Sequence, residues 1–381
     1  MTSGARQPFP DQLRGLAMLG IIVVNAPFFA LSSNGFTDSS IAGPVNATVA
    51  VLVLLLAQGK FYLLFSFLFG YSSTFIIRDG SASNRRRFRR RLLGLAVLGL
   101  AHAVLFFIGD ILLSYALLGC GLLLLVRRTD RAVLRTAVII AVISVLWMVV
   151  IVLAVVADPG AVAGPDPASV ALDSALAQGS FLDVARARLA ILPSVLLTIG
   201  SLQWGLAFAF FAVGLVAGRR QLLARVEERR SLWRRLAIVG LLVGLPLQAV
   251  ATVLQIDGGI GLRLTPEGIT GIVLGFTTAP ILAAGYVGLL ALLSIRGSRV
   301  LTFVGESGRA TLTLYIGESV VLSLLFCGWG LGLFGELGAA VVTLIAIGVW
   351  LLLELGMRLW LRHARQGPLE GLLARWTGRS T

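Results

Sequence analysis

One of the two histidines in this 381-residue chain, His102, lies inside an apolar run, "GLAHAVLFFIGDILLSYALLGCG", with Asp110 eight residues further on. A neutral imidazole in an apolar pocket is a general base able to take a proton from a hydroxyl or an amine. A carboxamide nearby, such as Asn25, can hold that imidazole or bind an oxyanion. His102, Asn25 and Asp110 are therefore the candidate catalytic residues, and Arg14, Lys60 and Glu318 the candidate substrate-binding ones. Each also has an ordinary explanation. His102 and Asn25 can serve as hydrogen-bonding glue between helices. Asp110 follows Gly109 and reads equally as the N-cap of the next helix. Glu318 is either a pocket acid or a buried neutral one. His363 lies among arginines at a surface. One membrane histidine cannot build a metal site from the ligands in view, and no nucleophile elbow, Walker loop or dinucleotide fingerprint is present.

The elements that carry these residues are membrane helices. The chain is 57% hydrophobic and 13% charged, with a mean hydropathy of +0.93, whereas soluble domains carry about 25% charge. The pI of about 11.3 does not indicate nucleic acid, because the arginines cluster between apolar runs as cytoplasmic loops require. Cys120 and Cys327 lie in apolar runs and offer no disulfide framework. The first apolar run is read as a retained helix, since it lacks a small-residue cleavage site and many spans follow it.

Stretches long enough to cross a bilayer fall near 15–31, 61–77, 92–108, 110–126, 132–156, 192–217, 236–255, 268–294, 310–327 and 338–361. The expected fold is thus all-α, a polytopic bundle of about ten transmembrane helices forming one membrane domain over 1–381. The 13-residue run 45–57 is read as interfacial or re-entrant on the outer side. Excluding it from the crossings places the seven arginines of 78–91 inside, among the 28 of the 32 basic residues that then lie there. That asymmetry puts both termini in the cytoplasm. An outer loop spans 157–191, with "SFLDVARARLAIL" expected as a helix lying on the membrane. Basic inner loops span 78–91 and 218–235, the second read as an amphipathic surface helix. The GxxxG spacings Gly214/Gly218, Gly240/Gly244, Gly271/Gly275 and Gly328/Gly332 indicate close helix packing.

Helical rise places Asn25 and His102 about 16 Å above Arg14 and Arg91, and Glu318 about 13 Å above Arg309. All three then approach the middle of a hydrocarbon core roughly 30 Å thick. Asp110 and Lys60 are expected nearer the outer mouth.

The segments "DQLRGLAMLGIIVVNAP", "GKFYLLFSFLFGYSSTF", "RRLLGLAVLGLAHAVLFFIGDILLSYALLGC", "GRATLTLYIGES" and "WLRHARQGPLEGLLARW" resemble the YeiB-like bacterial membrane proteins, a family carrying a domain of unknown function. The likeness covers nearly the whole chain in order. It implies a multi-pass protein of the bacterial cytoplasmic membrane, related to the transmembrane acyltransferases that include heparan-alpha-glucosaminide N-acetyltransferase. The resemblance puts Arg14 and Asn25 on matching positions of the first-helix motif. That acetyltransferase branch has its histidine shortly after the asparagine, where this chain has none, which leaves His102 as the membrane histidine. Glu318 stands where the YeiB-like motif usually has glutamine.

Two functions are carried forward from this reading. The first is transfer of an acyl group from cytosolic acyl-CoA, as co-substrate, to a small-molecule acceptor at the outer side. The second is transport of a small lipophilic or anionic compound, since ionisable residues in membrane helices mark transport paths. The bilayer is the expected partner, with a small molecule as the acceptor.

Overall fold

The computed structural model describes residues 8–78, 80–162, 166–258 and 265–378. Among them the regular structure is helical, with no strand. The first helices are α1 (Pro8–Ala30), α2 (Pro44–Leu56), α3 (Phe61–Ile77), α4 (Ala82–Leu105), α5 (Ile111–Leu125) and α6 (Asp130–Ala157). Next come α7 (Pro167–Gln178), α8 (Phe181–Ile199), α9 (Gly205–Arg219), α10 (Arg230–Asp257) and α11 (Pro266–Ile295). The chain finishes with α12 (Arg299–Ser307), α13 (Thr311–Phe326), α14 (Ala339–His363) and α15 (Pro368–Trp376).

Seven helices are long and apolar enough to cross a membrane, and an eighth span arises if α12 and α13, bent by 85°, count together. Their outer surfaces are apolar, as lipid contact requires: Leu124, Leu197 and Leu242 are each more than 70% exposed. Two of the ten expected spans behave differently. α4 is apolar only from Leu92 to Leu105, about 21 Å of rise, and α5 with its 15 residues rises about 22 Å. Both fall short of a hydrocarbon core of about 30 Å.

Two expected surface helices are instead parts of longer ones. The run 45–57 becomes α2, which joins α3 in a 34-residue apolar unit, Pro44–Ile77. "SFLDVARARLAIL" opens a 39-residue unit, Phe181–Arg219, in which a π turn at Gly200–Trp204 links α8 to α9. The reason is local: Ser180 and Asp183 form a capping box that starts α8, and Pro193 inside it does not break it. The inner loop 218–235 is not one helix. Arg219 and Arg220 reach Asp130 at 3.2 and 2.9 Å, and Arg219 also reaches the last carbonyls of α5. Gln221 then turns at a φ of 49°, which ends α9 before a short 3₁₀ turn leads into α10.

Close backbone approach is bought with glycine. A Cβ on Gly240 would collide with Gly285, one on Gly244 would lie 2.9 Å from Leu282, and one on Gly70 or Gly214 would strike a carbonyl across the α3–α9 contact. Without a hydrophobic drive between helices in lipid, such contact is a main source of attraction. Three of the GxxxG spacings thus lie at helix contacts, whereas Gly328 and Gly332 lie in the turn after α13.

Candidate functional site

α4 ends on the carbonyl of His102, which accepts from the amides of Phe106 and Phe107. The chain reverses over five residues, and Asp110 starts α5 by accepting from Leu113 N at 2.6 Å through Oδ1. Its other oxygen, Oδ2, lies 2.7 Å from His102 Nδ1. Asp110 is therefore both the N-cap and the partner of the imidazole, and it shares the depth of His102 instead of lying nearer the outer mouth. A carboxylate accepting at Nδ1 fixes the proton there and leaves Nε2 with its lone pair. Nε2 has no hydrogen-bond partner among the described residues, and His102 and Asp110 are each 2% exposed. Gly99 makes the arrangement possible, because a Cβ there would lie 2.7 Å from Asp110 Oδ1 and collide with the Leu113 amide.

Other elements wall the pair in. The Tyr315 ring of α13 lies 4.9 Å from the imidazole, and its hydroxyl accepts from Ile111 N at 3.3 Å. Phe107 stacks on Phe29 of α1 at 4.5 Å. Above the turn, Arg188 of α8 donates to Leu105 O at 2.7 Å and Ser323 of α13 to Phe106 O at 3.2 Å. The carbonyls left open at the end of α4 are thereby satisfied inside the bundle. Phe181 packs on Trp329 over the same region at 5.2 Å.

The remaining candidates fall elsewhere. Asn25 is half-buried and makes no hydrogen bond to His102, whose ring is held by Asp110. It stands four residues before Phe29, hence on the same face of α1, the face turned to the α4–α5 turn. Arg14 bonds Asp11 at 2.6 Å and also Ser72 of α3, fastening the first turns of α1. Lys60 is buried in a separate cluster, donating to Leu54 O at 3.0 Å and Gln248 Oε1 at 2.6 Å. Gln248 is itself held by Gly275 O and Thr278. Glu318 lies one turn beyond Tyr315, buried, with Oε1 unpartnered. Sequence reasoning passed over Tyr315, Arg188, Gly99 and Glu354. Glu354 was detectable by the rule that flagged Glu318, as an acid deep in an apolar run.

Fold and site together define a multi-pass helical membrane protein with a buried histidine–aspartate pair at the α4–α5 turn. The profile of a family described as a protein of unknown function, DUF418, matches residues 217–380. The uncharacterized protein YxaH of Bacillus subtilis (strain 168) is 30% identical over 386 residues, covering 95% of this chain and 92% of the relative. The uncharacterized protein YeiB of Escherichia coli (strain K12) is 28% identical over 388 residues, covering 97% and 96%. An uncharacterized 39.9 kDa protein from the amylase 3' region of Bacillus acidopullulyticus is 26% identical over 376 residues. This chain belongs to that YeiB-like, DUF418-containing family. No solved structure matches it.

Proposed function

We propose that the protein is a transmembrane acyltransferase of the bacterial cytoplasmic membrane, with both termini in the cytoplasm. Eight helices would cross, and α4 with α5 would enter and leave from the cytoplasmic side, which preserves the expected topology. The observation that carries the reading is the imidazole held by Asp110 at 2.7 Å with Nε2 unpartnered in an apolar interior. This is the arrangement of a base whose tautomer and orientation are set by a carboxylate.

In this reading acyl-CoA docks from the arginine-rich face, drawn by its phosphates. His102 Nε2 takes a proton from the hydroxyl or amine of a small-molecule acceptor, which attacks the thioester carbonyl. CoA leaves as the thiolate and takes up a proton on the cytoplasmic side, and the His102 imidazolium releases the proton it took, which restores the base with no net proton consumed. Asp110 stabilises the imidazolium that forms, and Asn25, on the facing side of α1, offers an amide to the oxyanion. Arg14 stays with the CoA side of the protein, and Glu318 stands buried one turn beyond Tyr315.

CoA release from acyl-CoA by the purified protein tests the reading, with His102→Ala expected to abolish it. The Lys60–Gln248 cluster favours a second reading, a transport path between α3, α10 and α11. Uptake into proteoliposomes without acyl donor, lost in Lys60→Met, would support it over the first.

A further inference from the structure

Two buried carboxyl groups have no part in the dyad. Glu354 of α14 is fully buried and Glu318 of α13 nearly so. Oε1 of each has no hydrogen-bond partner among the described residues. A membrane interior penalises such orphaned oxygens, and the cost is smaller for a neutral, protonated carboxyl than for a carboxylate.

Their neighbours form a sequence from surface to core. Glu306, half exposed at the end of α12, accepts from Arg358 at 2.8 Å, and Arg358 lies one turn beyond Glu354 on α14. Ser307, the next residue, donates to Glu354 Oε2. α13 and α14 pack against each other at this level, where a Cβ on Gly317 would lie 3.7 Å from the Leu353 side chain, so the residues that follow these two, Glu318 and Glu354, stand on neighbouring helices within electrostatic reach. Glu318 shares a face of α13 with Tyr315, three residues earlier, and the Tyr315 ring lies against His102, whose Nε2 is the third unpartnered atom.

We propose that Glu318 and Glu354 form a proton-binding pair linking the α12–α13 turn to His102. Among the described residues no group of three or more His, Cys, Asp or Glu side chains is placed to hold a metal ion, and a carboxyl facing a serine hydroxyl, as Glu354 does, suits a proton. The Glu354 carboxylate takes a proton from hydronium at the turn beside Ser307; an O–H bond of the hydronium breaks, leaving water, as an O–H bond forms on Glu354. That bond breaks as the proton passes to Glu318, where another O–H forms. Glu318 passes it by way of the Tyr315 hydroxyl or a water to His102 Nε2, and the reverse sequence removes the proton that His102 takes from an acceptor. No other bond changes and no oxidant or reductant is needed. The destination of the proton rests on His102 as base, whereas the pairing does not.

The test is infrared spectroscopy of the purified full chain in lipid nanodiscs, following the protonated-carboxyl C=O band after transfer from H2O to D2O. The expected result is loss of part of the band in Glu318→Gln and of another part in Glu354→Gln, with slower deuteration of Glu318 in the second variant. Glu318→Gln keeps the size and shape of the side chain while removing the carboxyl, and a Tm matched to wild type establishes that it folds. Ser307→Ala, a second variant in case Glu354→Gln does not fold, should slow deuteration of both. The proposal is overturned if neither glutamine variant loses band intensity, or if Glu318 deuterates at the wild-type rate in Glu354→Gln or Ser307→Ala. CoA release measured in parallel separates the two claims: absent release with intact carboxyl coupling removes the base and leaves the pair.

Discussion

Asp110 uses its two carboxyl oxygens for different purposes, so two substitutions separate cap from catalysis. Asp110→Asn keeps an oxygen for the Leu113 amide but no carboxylate for Nδ1–H. CoA release should fall about 10²–10⁴-fold while thermal stability barely moves. Asp110→Ala also removes the cap, at about 0.5–2 kcal/mol, read as a lower Tm. Gly99→Ala brings a methyl within 2.7 Å of Asp110 Oδ1 and should lower both turnover and Tm, because Asp110 must shift off His102. The dyad's members were legible because each is a polar residue in an apolar run. Their pairing was not: the turn after Leu105 brings Asp110 back over His102, and straight helices placed the two at different depths. Arg188 was hidden for a related reason, since its charge suggested a surface, yet it is 3% exposed on Leu105 O.

α13 is positioned from outside itself. Glu370 of α15 accepts from Leu312 N at 2.6 Å, Thr313 N at 3.2 Å and Thr313 Oγ1 at 2.6 Å. A side chain distant in sequence thus supplies the N-cap of the helix that carries Tyr315 and Glu318. Glu370→Ala should cost about 0.5–2 kcal/mol, measured as a Tm decrease, and should weaken CoA release by loosening the Tyr315 wall. Arg188→Ala leaves the Leu105 carbonyl unpaired in the interior and should cost about 1–3 kcal/mol by the same measurement. Apolar runs and arginine clusters located most helices within a few residues, because membrane crossing is a constraint of length and composition. The capping box at Ser180 and the helix end at Gln221 depend on side-chain pairs, and such pairs decide where helices join or stop without changing hydropathy.

At the scale of the whole molecule, the α4–α5 turn sits beneath α8, α13 and the Phe181–Trp329 pair. Ile108→Cys, in a chain with Cys120 and Cys327 replaced, should resist a membrane-impermeant maleimide applied from either side, whereas a cysteine at the exposed Asp38 should react from one side, the outer one in the proposed topology. The most direct measurement is CoA release from acyl-CoA by the purified protein in nanodiscs, comparing wild type, His102→Ala and Asp110→Asn at matched folding. Release by the wild type that disappears with His102 and drops steeply with Asp110→Asn is the expected result; undiminished release from a folded His102→Ala protein, or none from the wild type, would contradict it.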